Sequence, residues 1–129
     1  MKKLAIDLYK EGYNCCEAII MSANKKYNLD ITKDMLKFVS PINNGMGIGS
    51  LCSAIIGGIM VIGYIFEKKC APEHSSINHI RMKFINSINC ELKVMNCSQI
   101  CRMSISKGNC INVISIIAGV LDKIISDYK

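Results

Sequence analysis

The sequence predicts an all-α fold, a compact bundle of five to seven helices packed around one buried apolar helix at about residues 51–66. Three observations carry this reading. The run from Leu51 to Phe66 holds neither charge nor proline, so as a helix it is apolar on every side and belongs inside a core. The flanking segments repeat apolar residues at helical spacing, and no stretch alternates with period two as a half-buried strand does. At 129 residues the chain fits a single domain spanning 1–129. A chain of that size buries roughly two thirds of the surface it exposes unfolded.

From Lys3 to Glu11, the residues Leu4, Ala5, Leu8 and Tyr9 recur at helical spacing, and Gly12 ends the pattern. Asn14 is an N-cap candidate for a second helix, CCEAIIMSANKKY, whose first residue is Cys15. Asn28 and Asp30 make a turn, and Thr32 caps a short helix, KDMLKFVS, that stops before Pro41. A loop follows in which Gly45, Gly47 and Gly49 allow positive φ angles and a close approach to a neighbouring group. Ser50 caps the central helix and places Cys52 in its first turn. Past Lys69 lies a loop with Cys70, Pro72 and His74, after which Ser75 or Ser76 caps a helix with Ile77, Ile80, Phe84 and Ile88 on one face. Asn89 interrupts that helix and caps a short one beginning at Cys90, and Asn96 opens the brief segment CSQICRM. Gly108 and Asn109 mark a loop before the last helix, Cys110 to about Tyr128, with Val113, Ile116, Ile117, Val120, Leu121 and Ile124 inward.

Several function classes are disfavoured by composition. The net charge of +6 is spread over pairs such as Lys25-Lys26 and Lys68-Lys69 at predicted helix ends, where cations complement the helix dipole, so no basic stripe for nucleic acid forms. The central apolar run is too short for the roughly 20 residues of a spanning helix. Asp7, Lys10 and Glu11 break the apolar segment that a signal peptide needs, which points to a cytoplasmic protein. In a reducing cytosol eight cysteines read as metal ligands or redox thiols, not as a disulfide framework. The sequence contains no CxxC, phosphate loop, dinucleotide fingerprint or HExxH, and His74 and His79 lack ligand-spaced partners.

The cysteines form a pattern. Cys15, Cys90 and Cys110 each follow an asparagine that can cap a helix, and Cys52 follows Ser50 one residue further in. Unpaired amides and the dipole at a helix N-terminus favour a thiolate, which both metals and disulfide chemistry require. Cys16, Cys70, Cys97 and Cys101 read by default as small apolar core residues, although Cys97 and Cys101, four apart, share a helix face.

These segments resemble the C_GCAxxG_C_C family of small redox proteins, which have four characteristic cysteines and a CGAxxG motif. Gly12-Tyr13-Asn14-Cys15 with Glu17-Ala18 is similar to the family's opening segment, and Cys52-Ser53-Ala54-Ile55-Ile56-Gly57 to its central motif. Asn89-Cys90-Glu91-Leu92 resembles the third-cysteine segment, and Cys110 the fourth cysteine. Ser53 stands where the motif has glycine, and could narrow the site or offer a hydroxyl to a sulfur. The segment from Cys90 to Cys110 is short and cysteine-rich for the family, so Cys97 or Cys101 could replace one of the four.

The first expectation is that Cys15, Cys52, Cys90 and Cys110 ligate an iron–sulfur cluster for electron transfer, with the amides of Gly45, Gly47 and Gly49 tuning its sulfurs. The second is a thiol–disulfide oxidoreductase or thiol sensor with Cys52 as nucleophile, and the third a structural zinc site or a plain helical interaction module whose cysteines hold the fold together. An unidentified redox partner protein is implied by the first two. A homodimer would cover any apolar patch that the bundle leaves open.

Overall fold

The computed structural model describes residues 1–67, 75–102 and 109–129. Cys70, Pro72, His74, Lys68, Lys69 and Gly108 lie outside the described residues. Among those described there are seven α-helices and no strand: α1 Lys2–Lys10, α2 Cys15–Tyr27, α3 Lys33–Leu36, α4 Ser53–Phe66, α5 Ser75–Leu92, α6 Cys97–Ile100 and α7 Ile111–Tyr128.

Local chemistry explains most boundaries. Asn14 accepts from the Glu17 N–H at 2.9 Å while Glu17 Oε1 accepts from the Asn14 N–H at 3.0 Å, a reciprocal cap that starts α2 at Cys15. Asn28, in the left-handed region at φ 53°, ends it. Thr32 caps α3, which stops at Leu36, and Pro41 sits inside a separate 3-10 turn at Ser40–Ile42.

Several expected boundaries move: α3 ends at Leu36 without reaching Ser40, and α7 begins at Ile111 with Cys110 as its N-cap. The central helix begins at Ser53, not Leu51, because Leu51 pairs antiparallel with Asn96 and Cys52 becomes the N-cap. Helix α5 runs unbroken through Asn89 and Cys90 to Leu92. Its inward residues Ile80, Phe84, Ile88 and Leu92 continue at four-residue spacing, and their burial outweighs the modest helix cost of one asparagine.

Helix α4 packs against α2, α5 and α7, and α1 closes the bundle against α2 and α7. Cys16 on α2 meets Gly57, where an added Cβ would stand 2.9 Å from the Cys16 carbonyl. Gly58 faces the Phe84 ring, leaving no room for a methyl group. The first half of α4 is buried, whereas Met60 and Tyr64 reach solvent. On α7, Ile114 and Ile125 are buried with Val113, Ile117, Leu121 and Ile124, and Ile116 and Val120 lie at the margin. No described helix is long and apolar enough to cross a membrane.

Candidate functional site

Helices α2 and α7 run side by side in the same direction. Cys15 and Cys110 interact at their N-terminal ends, while Lys26 and Tyr27 hold Asp122 some 11 or 12 residues further along. At 1.5 Å per residue those distances match, roughly 17 Å against 18 Å. Helix α4 brings Cys52 to the same end. Three helix N-termini thus converge on the thiols and place their positive dipole ends there.

The Cys15 thiol and, from α1, the Tyr9 phenol are near enough to the Cys110 sulfur to stabilise its thiolate by hydrogen bonding. The bond from Cys15 is the main cause that lowers the Cys110 pKa to about 6; burial opposes it and Tyr9 assists it. Cys15 is displaced strongly upward, by the same bond, by burial and by the charge of Cys110. The two thiols therefore titrate as a coupled pair, in which a proton held on Cys15 favours the thiolate at Cys110.

Cys52 is only 7% exposed. Burial raises its pKa, and the amides of Ile55 and Ala54 pull against that rise without closing a side-chain cap. The helix N-terminus loses to desolvation here, so the nucleophile expected at Cys52 is found in a less reactive setting than Cys110.

The second sulfur pair is Cys97 and Cys101, whose Sγ atoms lie 4.0 Å apart on the turn of α6. Expected as core residues, they stand at the surface instead: Cys97 is half-buried and Cys101 exposed. Burial, then the Cys101 thiol, push Cys97 to about 11, with Cys52 and Cys110 also within electrostatic reach. The short bridge between 50–52 and 95–97 holds α6 here: Cys52 N–H donates to Met95 O at 2.8 Å and Cys97 N–H to Ser50 O at 2.6 Å.

The glycine loop serves this docking. Gly45 adopts φ +60°, and a Cβ there would lie 2.6 Å from Ser50 backbone and 2.9 Å from Cys97 Cβ. Gly49 packs on Ser98, while Gly47 points into open space. Ser53 does not offer its hydroxyl to a sulfur: it donates to Ile42 O at 2.9 Å and accepts from Gly45 N–H at 3.2 Å, pinning the loop to α4.

The structure does not bring Cys90 to this cluster. It is exposed in α5 beside Val120, Lys123, Ile124 and Asp127 of α7, so about 15 Å of helix separates its neighbours from Cys110. The helix start that singled it out does not form. Cys16, buried against Gly57, has its thiol pushed up to about 12 by burial and keeps the role of a core residue. Reading the sequence missed Tyr9 as a site residue, because its spacing with Leu8 marks only an apolar face. The four-residue spacing of Cys97 and Cys101 was the available signal for the outer pair.

Among the described residues no three His, Cys, Asp or Glu side chains are arranged to hold a metal ion. The sulfurs stand as two pairs with Cys52 between them. The family model described as "Putative redox-active protein (C_GCAxxG_C_C)" matches residues 13–124. No curated protein and no solved structure matches the chain.

Proposed function

The chain belongs to the C_GCAxxG_C_C family, and from that premise we propose that it is a thiol–disulfide redox protein whose inner couple is Cys15 and Cys110. One observation carries the proposal: Cys15 and Cys110, 95 positions apart in sequence, stand at helix starts that meet at one end of the bundle, close enough for each thiol to dominate the other's titration. Cys110 is the nucleophile. As a thiolate it attacks a sulfur of a partner's disulfide, and Cys15 then attacks Cys110 Sγ, closing the intramolecular disulfide and releasing the partner's second thiol. Two electrons pass to the partner, and the Cys15 proton leaves with them. The partner is a protein or small-molecule disulfide of unassigned identity.

Disulfide mapping tests this directly. After mild oxidation the expected product is a Cys15–Cys110 disulfide, reversible with dithiothreitol. A protein in which these two thiols alkylate fully after oxidation lacks the proposed couple.

An iron–sulfur cluster is the second reading, supported by the convergence of five sulfurs at one end of the bundle. When bound, such a cluster would supply one-electron transfer. Cys15, Cys52 and Cys110 with Cys97 or Cys101 would be its ligands, although their pairwise arrangement does not fit a cage around one centre. Iron, zinc and acid-labile sulfide analysis of protein purified without oxygen decides between this reading, a structural zinc site and the dithiol.

A further inference from the structure

The inner couple has a second dithiol beside it, and a third position links the two. Leu51 pairs antiparallel with Asn96, so Cys52 and Cys97 each lie one residue from the paired position, on diagonally opposed sites of the bridge. Side chains alternate along such a ladder, which sends Cys52 and Cys97 to the same face; diagonal neighbours stand about 7–8 Å apart at Cα and closer at their side chains. Cys52 in turn lies within electrostatic reach of Cys110. The five sulfurs therefore cluster at one end of the bundle, graded in exposure from buried Cys52 through half-buried Cys15, Cys110 and Cys97 to exposed Cys101, with Cys52 joined through the 51–96 bridge to Cys97 and within electrostatic reach of Cys110.

We propose that Cys97 and Cys101 are an outer redox pair that exchanges its disulfide with Cys15 and Cys110 through Cys52, so that external thiols and disulfides react faster at α6 than by direct attack at Cys110. This rests on the thiol reading of the inner couple. In the oxidising direction, an external disulfide first converts Cys97 and Cys101 to a disulfide and leaves as two thiols. Cys52 Sγ attacks Cys97 Sγ, forming a Cys52–Cys97 bond and expelling Cys101 as a thiolate that takes up the Cys52 proton. Cys110 then attacks Cys52 Sγ and expels Cys97. Finally Cys15 attacks Cys110 Sγ and expels Cys52, each leaving thiolate recovering a proton. Every step makes and breaks one S–S bond, and two electrons move from the inner pair to the outer.

The geometry around α6 suits a pair that must be presented outward. Gly45 and Gly49 remove the side chains that would hold α6 away, and the two bridge hydrogen bonds fix Cys97 while Cys101 faces solvent. A cysteine pair serving only the core would have no use for this placement.

The test uses the full-length reduced protein mixed with oxidised glutathione, quenched in acid at intervals, alkylated and mapped by mass spectrometry. The Cys97–Cys101 disulfide is expected first, declining as Cys15–Cys110 accumulates. In the double variant Cys97→Ser/Cys101→Ser, inner-pair oxidation slows by roughly tenfold or more, because a tethered donor acts at a high effective concentration that free glutathione lacks. In Cys52→Ala the outer disulfide forms at the wild-type rate, while the inner pair oxidises only as slowly as in the double variant. Inner-pair oxidation at the wild-type rate in the double variant overturns the relay and leaves the inner couple standing. Formation of Cys97–Cys101 without any Cys15–Cys110 in the wild type removes the inner couple, and the relay with it. The double variant alters only the surface turn, so it tests the relay even where Cys52→Ala fails to fold.

Discussion

At Cys110 two opposing effects of a low pKa have to be weighed before a reactivity is expected. Against an ordinary thiol at 9.0, a value of about 6 raises the thiolate fraction at pH 7 by about ninetyfold. The lower basicity takes back roughly twentyfold in nucleophilicity, leaving a net gain of about fourfold. The pH at which reactivity switches on is therefore the better signature than the rate. Iodoacetamide labelling of Cys110 should rise with a midpoint near 6 and level off above it. Cys15→Ala should move that midpoint upward, and Tyr9→Phe should move it upward by less, since the bond from Cys15 is the larger cause. A midpoint near 9 in the wild-type protein would show that Cys15 donates nothing to Cys110.

Among the helices, the glycines of α4 separate packing from propensity. Gly58 faces the buried Phe84 ring, and a Cβ there would fall 2.3 Å from Phe84 Cζ. Gly63, in the same helix, has open space where its Cβ would stand. Gly58→Ala is expected to destabilise by about 1–3 kcal/mol through overpacking. Gly63→Ala should stabilise by up to about 1 kcal/mol through helix propensity alone. Thermal melts of the two variants should move in opposite directions, and a stabilised Gly58→Ala would mean that α4 and α5 are not in contact at that point. This contrast also shows what the sequence can carry. The limits of α2 were legible from Asn14 and Asn28, because caps act within a few residues. The starts of α4 and the continuity of α5 were not, since they depend on Asn96 reaching Leu51 and on Phe84, Ile88 and Leu92 finding α4 and α7. Three of the four expected helix-end cysteines lie at helix starts: Cys15 behind its Asn14 cap as read from the sequence, but Cys52 and Cys110 as the N-cap residues themselves, not behind Ser50 and Asn109. Cys90 does not, for the same reason that α5 does not break.

Across the molecule, α2 and α7 carry the two inner thiols at one end and a polar clamp at the other. Lys26 Nζ lies 2.7 Å from Asp122 Oδ2, the Tyr27 hydroxyl donates to Asp122 Oδ1, and Tyr27 also reaches Ser126. Burial alone would raise the Asp122 pKa, but the hydrogen bonds from Lys26 and Tyr27 outweigh it and hold the carboxyl below its ordinary value of 3.8. A carboxylate with a lowered folded-state pKa contributes stability that is fully present above 3.8 and is lost as pH falls through the folded value. Asp122→Asn should therefore melt several degrees below the wild type at neutral pH, a deficit that shrinks in acid once the wild-type carboxyl is itself protonated. A deficit that stays constant down to pH 2 would assign the loss to packing and not to charge. The clamp lies roughly 17 Å from the sulfurs, about twice the Debye length at physiological salt. Asp122→Asn should accordingly leave the labelling midpoint of Cys110 where it is, so long as α2 and α7 keep their alignment. A midpoint that moves with this substitution would show that the far clamp sets the register in which Cys15 meets Cys110, making the whole length of the two helices part of the redox site.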